Sequence, residues 1–385
     1  MKRFQIVLAL PLIVCSAARA DILISGNEGK FDLSSGVGRP IDKPISDTLT
    51  VLDFAVFPPR ARHVEGVPNS VLGPPSNIAL APDEKLALVA NSVRRYTNDP
   101  KQPEADNIVQ VVDLSLDPPA IIERVRVGKQ PSGLSIDRSG KLALVANRGD
   151  GTVSVLAIDG RKVRVVQTLV VSATDGEPSD VAIRPDCRLA LVTIRNGYAV
   201  RVLSIEGGKA SLLPRKLPVY GQPYHVQITP DGALGLVAGS GNLDGRDTDA
   251  LSVIDLRTDP IRTIDHVAIG AGPESFDISP DGTLVAAVLM NGSGFTPDNP
   301  HRTEAGQLAL LTRTGDKFAK VQELPIGRIP EGVAFSPDGK YLVVQQHPAR
   351  ELAIYEVVKQ RLKDTGQRIK TPGMPSSLRR ADVAR

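Results

Sequence analysis

Residues 130–147 read QPSGLSIDRSGKLALVAN. Pro131 opens the stretch, and its ring fixes φ and removes a backbone donor, which favours an extended start. Leu134, Ser135 and Ile136 alternate between apolar and polar, the period of a strand with one buried face. A polar turn follows, and Leu142 to Ala146 forms a second apolar run. The stretch predicts a β-hairpin.

The same hairpin recurs. Alignment on the opening proline gives copies at Pro75, Pro131, Pro178, Pro223, Pro273 and Pro330, with spacings of 56, 47, 45, 50 and 57 residues. Periods of this size belong to repeat architectures, the propeller blade among them. Three residues after each proline stands a large apolar residue: Ile78, Leu134, Val181, Val226, Phe276, Val333. Two further on stands another: Leu80, Ile136, Ile183, Ile228, Ile278, Phe335. The turn is most explicit as Pro230-Asp231-Gly232, Pro280-Asp281-Gly282 and Pro337-Asp338-Gly339. There proline presets the first position, aspartate bonds back to the backbone and glycine supplies positive φ. Glu84 and Cys187 occupy the glycine position in their copies, so each is expected to carry backbone strain.

A third strand follows each hairpin, as in Thr152-Val153-Ser154-Val155-Leu156, and a more polar fourth closes the unit. Four antiparallel strands make a propeller blade. Charges on the fourth, such as Arg124, Arg126, Lys162 and Arg164, suit an outer edge that must resist pairing with other chains. The chain ends supply a seventh unit. Ile22–Ser25 reads as its second strand, Thr48–Leu52 as its third and Arg62–Glu65 as its fourth. Pro375-Ser376-Ser377-Leu378 reads as its first, with Arg380 at a position that is apolar in the other copies. The expected fold is all-β: a seven-bladed propeller of four-stranded blades, closed by pairing the N- and C-terminal strands.

These features resemble the YVTN-type seven-bladed propellers, which share a fold with the lactonase-type propellers. The resemblance rests on the proline-led strand, the Pro-Asp-Gly turn, and Leu88-Val89-Ala90-Asn91, repeated as Leu144-Val145-Ala146-Asn147. It implies the fold across nearly all of residues 21–385 and leaves function open, because one fold hosts many functions. Lactonase and cycloisomerase relatives imply acid–base work by channel-facing His, Arg and Glu on carboxylated lactones. No catalytic motif of that family is matched residue by residue.

Residues 1–20 read as a signal peptide: Lys2 and Arg3, the apolar run Phe4–Val14, then Ala18-Arg19-Ala20 before Asp21. The rival lipidation reading at Cys15 is disfavoured by Val14, where a small residue is wanted. Residues 21–385 then form one propeller domain, periplasmic or secreted, with no transmembrane segment. Cys187 is the sole thiol after residue 20, so no intramolecular disulfide forms there. The chain has 41% hydrophobic residues, 4% aromatics and no Trp, so Val, Leu, Ile and Ala must fill the core. A net charge of +3 over 385 residues argues against nucleic-acid binding.

In a propeller the first strands line a central channel, and the residue after each opening proline lies near one mouth. Those positions hold Ser76, Ser132, Ser179, Tyr224, Glu274, Glu331 and Ser376. Glu274 and Glu331, from successive blades, are therefore expected to meet at one mouth, where repulsion raises the pKa of one of them unless a cation lies between, with Tyr224 and His225 nearby. His225, Glu274 and Glu331 are the candidate acid–base residues. For His225 the reading as a histidine hydrogen-bonded within its blade stands ahead of the reading as a channel base. Three long loops, 92–106, 240–249 and 291–306, emerge at the same mouth. Tyr224, Arg195, Arg246, Arg302 and His301 are candidate ligand-binding residues, the arginines as forks for a carboxylate. Asp244, Asp247 and Asp249 lack the full ligand spacing of a calcium loop, and no paired histidines suggest zinc. No metal and no cofactor is expected. The first functional reading is a periplasmic binding or interaction propeller, taking a small polar ligand or another exported protein. The alternative is a lactonase-like hydrolase or cycloisomerase.

Overall fold

The computed structural model of the chain describes residues 21–97, 103–241 and 247–383. The leader, Asp244 and Arg246 lie outside the described residues. Seven four-stranded antiparallel sheets stand around an axis, six of them with their strands in chain order from centre to rim. The hairpin of residues 130–147 forms the inner half of blade 3. Pro131–Ile136 pairs with Leu142–Asn147, Leu134 opposite Val145 and Ile136 opposite Ala143. Thr152–Asp159 and Lys162–Val170 complete the blade.

Blade 1 is built from both chain ends. Its order is Met374–Arg380, Ile22–Glu28, Thr48–Asp53 and Arg60–Glu65. Ser25 pairs with Leu378, so the expected closure by the terminal strands is present. It ties both chain ends into one sheet and covers the inner edge of Ile22–Glu28.

The core is divided among the seven gaps between neighbouring blades. Blades 2 and 3 bury Leu88, Val109, Leu134 and Val145 against one another. Blades 5 and 6 bury Phe276, Leu236 and Val285, and the closing gap between blades 7 and 1 buries Leu378, Val343 and Leu23. Each inner strand thus sends its two apolar repeat positions into a gap, which is why the period of two is so regular. The residue between those positions ties blades together. Ser135 accepts from Ile183 N (3.3 Å), Gln227 from Ile278 N (3.3 Å) and Asp277 from Phe335 N (2.8 Å).

The turns follow the expected chemistry. Thr229, Ser279 and Ser336 each donate to the turn aspartate, at 2.5, 2.6 and 2.7 Å, and accept from the start of the second strand. Gly232, Gly282 and Gly339 have φ of 71°, 74° and 74°. Glu84 and Cys187 hold φ of 56° and 61°, the strained left-handed region expected of them. Glu84 has a compensating role, because its carboxylate accepts from Asp21 N (3.0 Å) and Ile22 N (3.1 Å) at the start of blade 1.

Candidate functional site

The mouth at which the inner strands begin holds a cavity of about 450 Å³. Its floor comes from two repeat positions. One is the residue after the opening proline, which supplies Tyr224 and Glu274. The other is the residue at or just past the end of the second strand, seventeen after that proline, which supplies Arg148, Arg195, Ser240 and Met290. The repeat brings both sets to one height around the axis.

Loops form the walls and roof. Phe31 and Leu33, between the second and third strands of blade 1, line one side, with Val71, Leu72 and Tyr96 from blade 2 and its approach. Phe31 stacks on Tyr96 with ring centroids 4.0 Å apart. Phe295, from the 291–306 loop of blade 6, closes the opposite side. The blade 1 loop reaches across to it. Gly36, at φ 79°, packs so closely that a Cβ would lie 2.5 Å from Phe295 C. Arg328 clamps the crossing by donating to Ser34 O (3.2 Å) and Ser293 O (3.0 Å).

Charge on the floor is unevenly paired. Glu177 accepts from Arg148 (2.8 Å) and from Arg195 (3.3 Å), which leaves most donors of both guanidinium forks free. Arg195 also lies over the Tyr224 ring, 5.8 Å from its centroid. Glu274 opens partly onto the cavity while protein surrounds its remainder. Burial pushes its carboxyl up to about 7, against the pull of Arg195 and Arg148 and a hydrogen bond to Tyr224. The Tyr224 phenol is driven well above its ordinary value by burial and by Glu274. Glu331, 1% exposed, is raised well above the usual carboxylate range by burial, then by Glu274 and Glu28. Glu28 is a third carboxylate at this level, raised to about 7 by burial. It accepts from Val71 N (2.6 Å) and pairs with Lys30 (3.3 Å).

The remaining candidates lie elsewhere. His225 is buried in the channel below the mouth, with Gln227 donating to its Nε2 at 3.2 Å and the Phe276 ring 4.8 Å away. Burial and the charge of Arg379 hold its pKa well below the ordinary value, so it is neutral. Arg302 braces the blade 6 loop, donating to Phe295 O (3.0 Å) and Glu304 (2.9 Å). His301 is in the same loop, and neither lines the cavity. Of the three loop aspartates, Asp249 spends its oxygens on Gly241 N (2.6 Å) and Gly272 N (2.8 Å). Among the described residues no three His, Cys, Asp or Glu gather to hold a metal, and no helix is long and apolar enough to cross a membrane. Arg148, Glu28 and the roof residues were not predicted. Arg148 had an available signal, since it occupies the same repeat position as Arg195.

No protein-family model and no curated protein matches the sequence. Solved structures do. A candidate 6-phosphogluconolactonase from Bacteroides fragilis superposes with a TM-score of 0.69 at 16% identity, over 95% of this chain and 99% of its own. One from Bacteroides uniformis gives 0.68 at 16%, over 94% and 99%. The periplasmic gluconolactonase of Pseudomonas aeruginosa gives 0.64 at 18%, over 93% and 99%. With its seven closed blades, the chain shares the fold of the lactonase-like propellers.

Proposed function

We propose that the mouth cavity binds a small amphiphilic organic anion and that the protein is a binding propeller of the bacterial periplasm. Its volume lies in the range of small-molecule sites, roughly 300–1,000 Å³. The observation that carries the reading is one apolar-walled cavity holding two guanidinium forks with free donors beside a Glu274–Tyr224 pair. An anionic head group meets Arg148 and Arg195, and an apolar body lies on Phe31, Leu72 and Phe295. Export rests on the leader-like residues 1–20 and is checked by finding Asp21 as the N-terminus of the secreted protein.

The test is a fluorescence titration with 1-anilinonaphthalene-8-sulfonate, which carries an apolar body and one oxyanion. One dye per chain is expected. Arg195→Ala should weaken binding about tenfold or more, the worth of one or two charge-assisted hydrogen bonds. Equal binding by the wild type and this variant would remove the reading.

A second reading, lactone hydrolysis, is favoured by the carboxyl of Glu274, held near 7 where a general base works best. Glu274 takes a proton from water as the water oxygen bonds to the lactone carbonyl carbon. The ring C–O bond then breaks, and the departing alkoxide receives that proton from Glu274. Arg195 and Arg148 orient the substrate, while Glu331 sets the local charge. D-glucono-1,5-lactone, followed in a pH-stat, should open faster than its spontaneous rate. Glu274→Gln should lower that excess by roughly a hundredfold. A variant as fast as the wild type would eliminate this reading and leave the first intact.

A further inference from the structure

The opposite mouth of the channel departs from the repeat. There the inner strands end on Ala79-Leu80, Ser135-Ile136, Ala182-Ile183, Gln227-Ile228, Asp277-Ile278 and Ala334-Phe335. The closing strand of blade 1 ends instead on Arg379-Arg380. Arg380 stands where the second member of every other pair packs in an apolar gap, and Arg379 stands beside it.

A pocket of about 80 Å³ lies between these residues, Arg138, Asp277 and Asp382. Two of its cations have partners. Arg138 pairs with Asp382 (3.0 Å), and Arg380 donates to Ile278 O (2.7 Å) with Asp277 3.5 Å from its Nε. The Arg380 Nε is nonetheless buried without a hydrogen-bond acceptor. Arg379 makes no ion pair or side-chain hydrogen bond among the described residues. Asp180, the carboxylate up the channel that feels its charge, spends its oxygens on Val181 N (2.8 Å) and Val226 N (3.0 Å). The pocket wall thus carries three guanidinium groups against two carboxylates.

We propose that this second mouth is a binding site for a small oxyanion, phosphate or carboxylate, seated on the free fork of Arg379. Planar guanidinium forks match the spacing of oxyanion oxygens and bind them in pairs. A volume that holds a few waters accommodates one such group and no larger body. The site is at the other end of the channel from the mouth cavity and stands independently of what that cavity binds.

The test uses inorganic phosphate and acetate as probes on the full protein, with melting temperature measured against chloride of matched ionic strength. Arg379→Gln is the variant, since Gln227 already fills the equivalent position in blade 5 and the fold accommodates it. A bound anion stabilises the native state in proportion to its occupancy. At least one probe should raise the wild-type melting temperature above chloride, and the probe that does so reports which oxyanion the site prefers. Isothermal titration should show at least tenfold weaker binding in Arg379→Gln. Glu274→Gln, at the far mouth, should keep the full increment. No increment with either probe in the wild type, or an increment that survives Arg379→Gln, would overturn the proposal.

Discussion

At the scale of single residues, the mouth is governed by carboxylates that ionise reluctantly. Glu331 has its pKa raised well above the ordinary value, so the folded chain holds its proton at a pH where the unfolded chain has released it. Its contribution to stability is complete below the unfolded value and is lost as pH rises through the folded one. Glu331→Gln has no such loss. The variant should match the wild type near pH 4 and melt progressively higher than it toward pH 8, as followed by calorimetry. A constant gap across that range would mean that the carboxyl titrates normally. Glu274 makes the corresponding statement about binding. Its carboxyl is neutral below about 7 and anionic above, beside the two arginines that would take an anionic head group. Affinity for the sulfonate dye should therefore fall as pH rises through about 7, and the pH profile of Glu274→Gln should be clearly shallower. Burial and Glu274 drive the Tyr224 phenol well above its ordinary value and out of that window, which leaves Glu274, with Glu331 and Glu28 behind it, as the source of any slope. The place of Glu274 at the cavity was legible in the sequence because a repeat puts equivalent positions around one axis, whereas the burial of Glu331 outside the cavity lining was not. The direction of His225 was not. A β-bulge between Pro223 and His225 shifts the register at the start of the strand, so Tyr224 faces the cavity and His225 the channel below.

At the scale of elements, the hairpins were legible because each is written locally: alternation, turn residues and the proline. Their cost of disruption follows from the gaps they fill. Phe276→Ala would empty a fully buried site between blades 5 and 6 and should cost about 3–5 kcal/mol, measured by urea unfolding. A loss below about 1 kcal/mol would show that the gap collapses around the void. The cavity roof was not legible, since the blade 1 loop follows no repeat and its crossing to blade 6 depends on long-range contacts. Gly36 is the position that allows the crossing. Gly36→Val should lift the roof, weakening dye binding several-fold with little change in melting temperature, because the loop contributes little to the blades. Unchanged affinity would show that the roof does not shape the site.

For the whole molecule, closure joins residues more than 350 positions apart in one sheet, Leu23 opposite Arg380 and Ser25 opposite Leu378. The C-terminal match to the repeat made this legible despite Arg380, because Pro375, Ser376 and Leu378 kept the pattern. Deleting residues 373–385 removes the innermost strand of blade 1 and exposes Leu378's side of the blade 7 gap. The whole ring should lose stability, with a melting temperature lower by ten degrees or more or no cooperative transition at all. An unchanged transition would mean that the ring closes without that strand. The same closure gives the rigid axis on which the mouth cavity depends. Its ligand role is tested most directly by a crystal structure of the protein with 1-anilinonaphthalene-8-sulfonate. The sulfonate should lie on Arg148 and Arg195, with the ring system between Phe31 and Phe295 and Glu274 within hydrogen-bond reach. Dye bound on the outer surface with the cavity left to solvent would contradict the account.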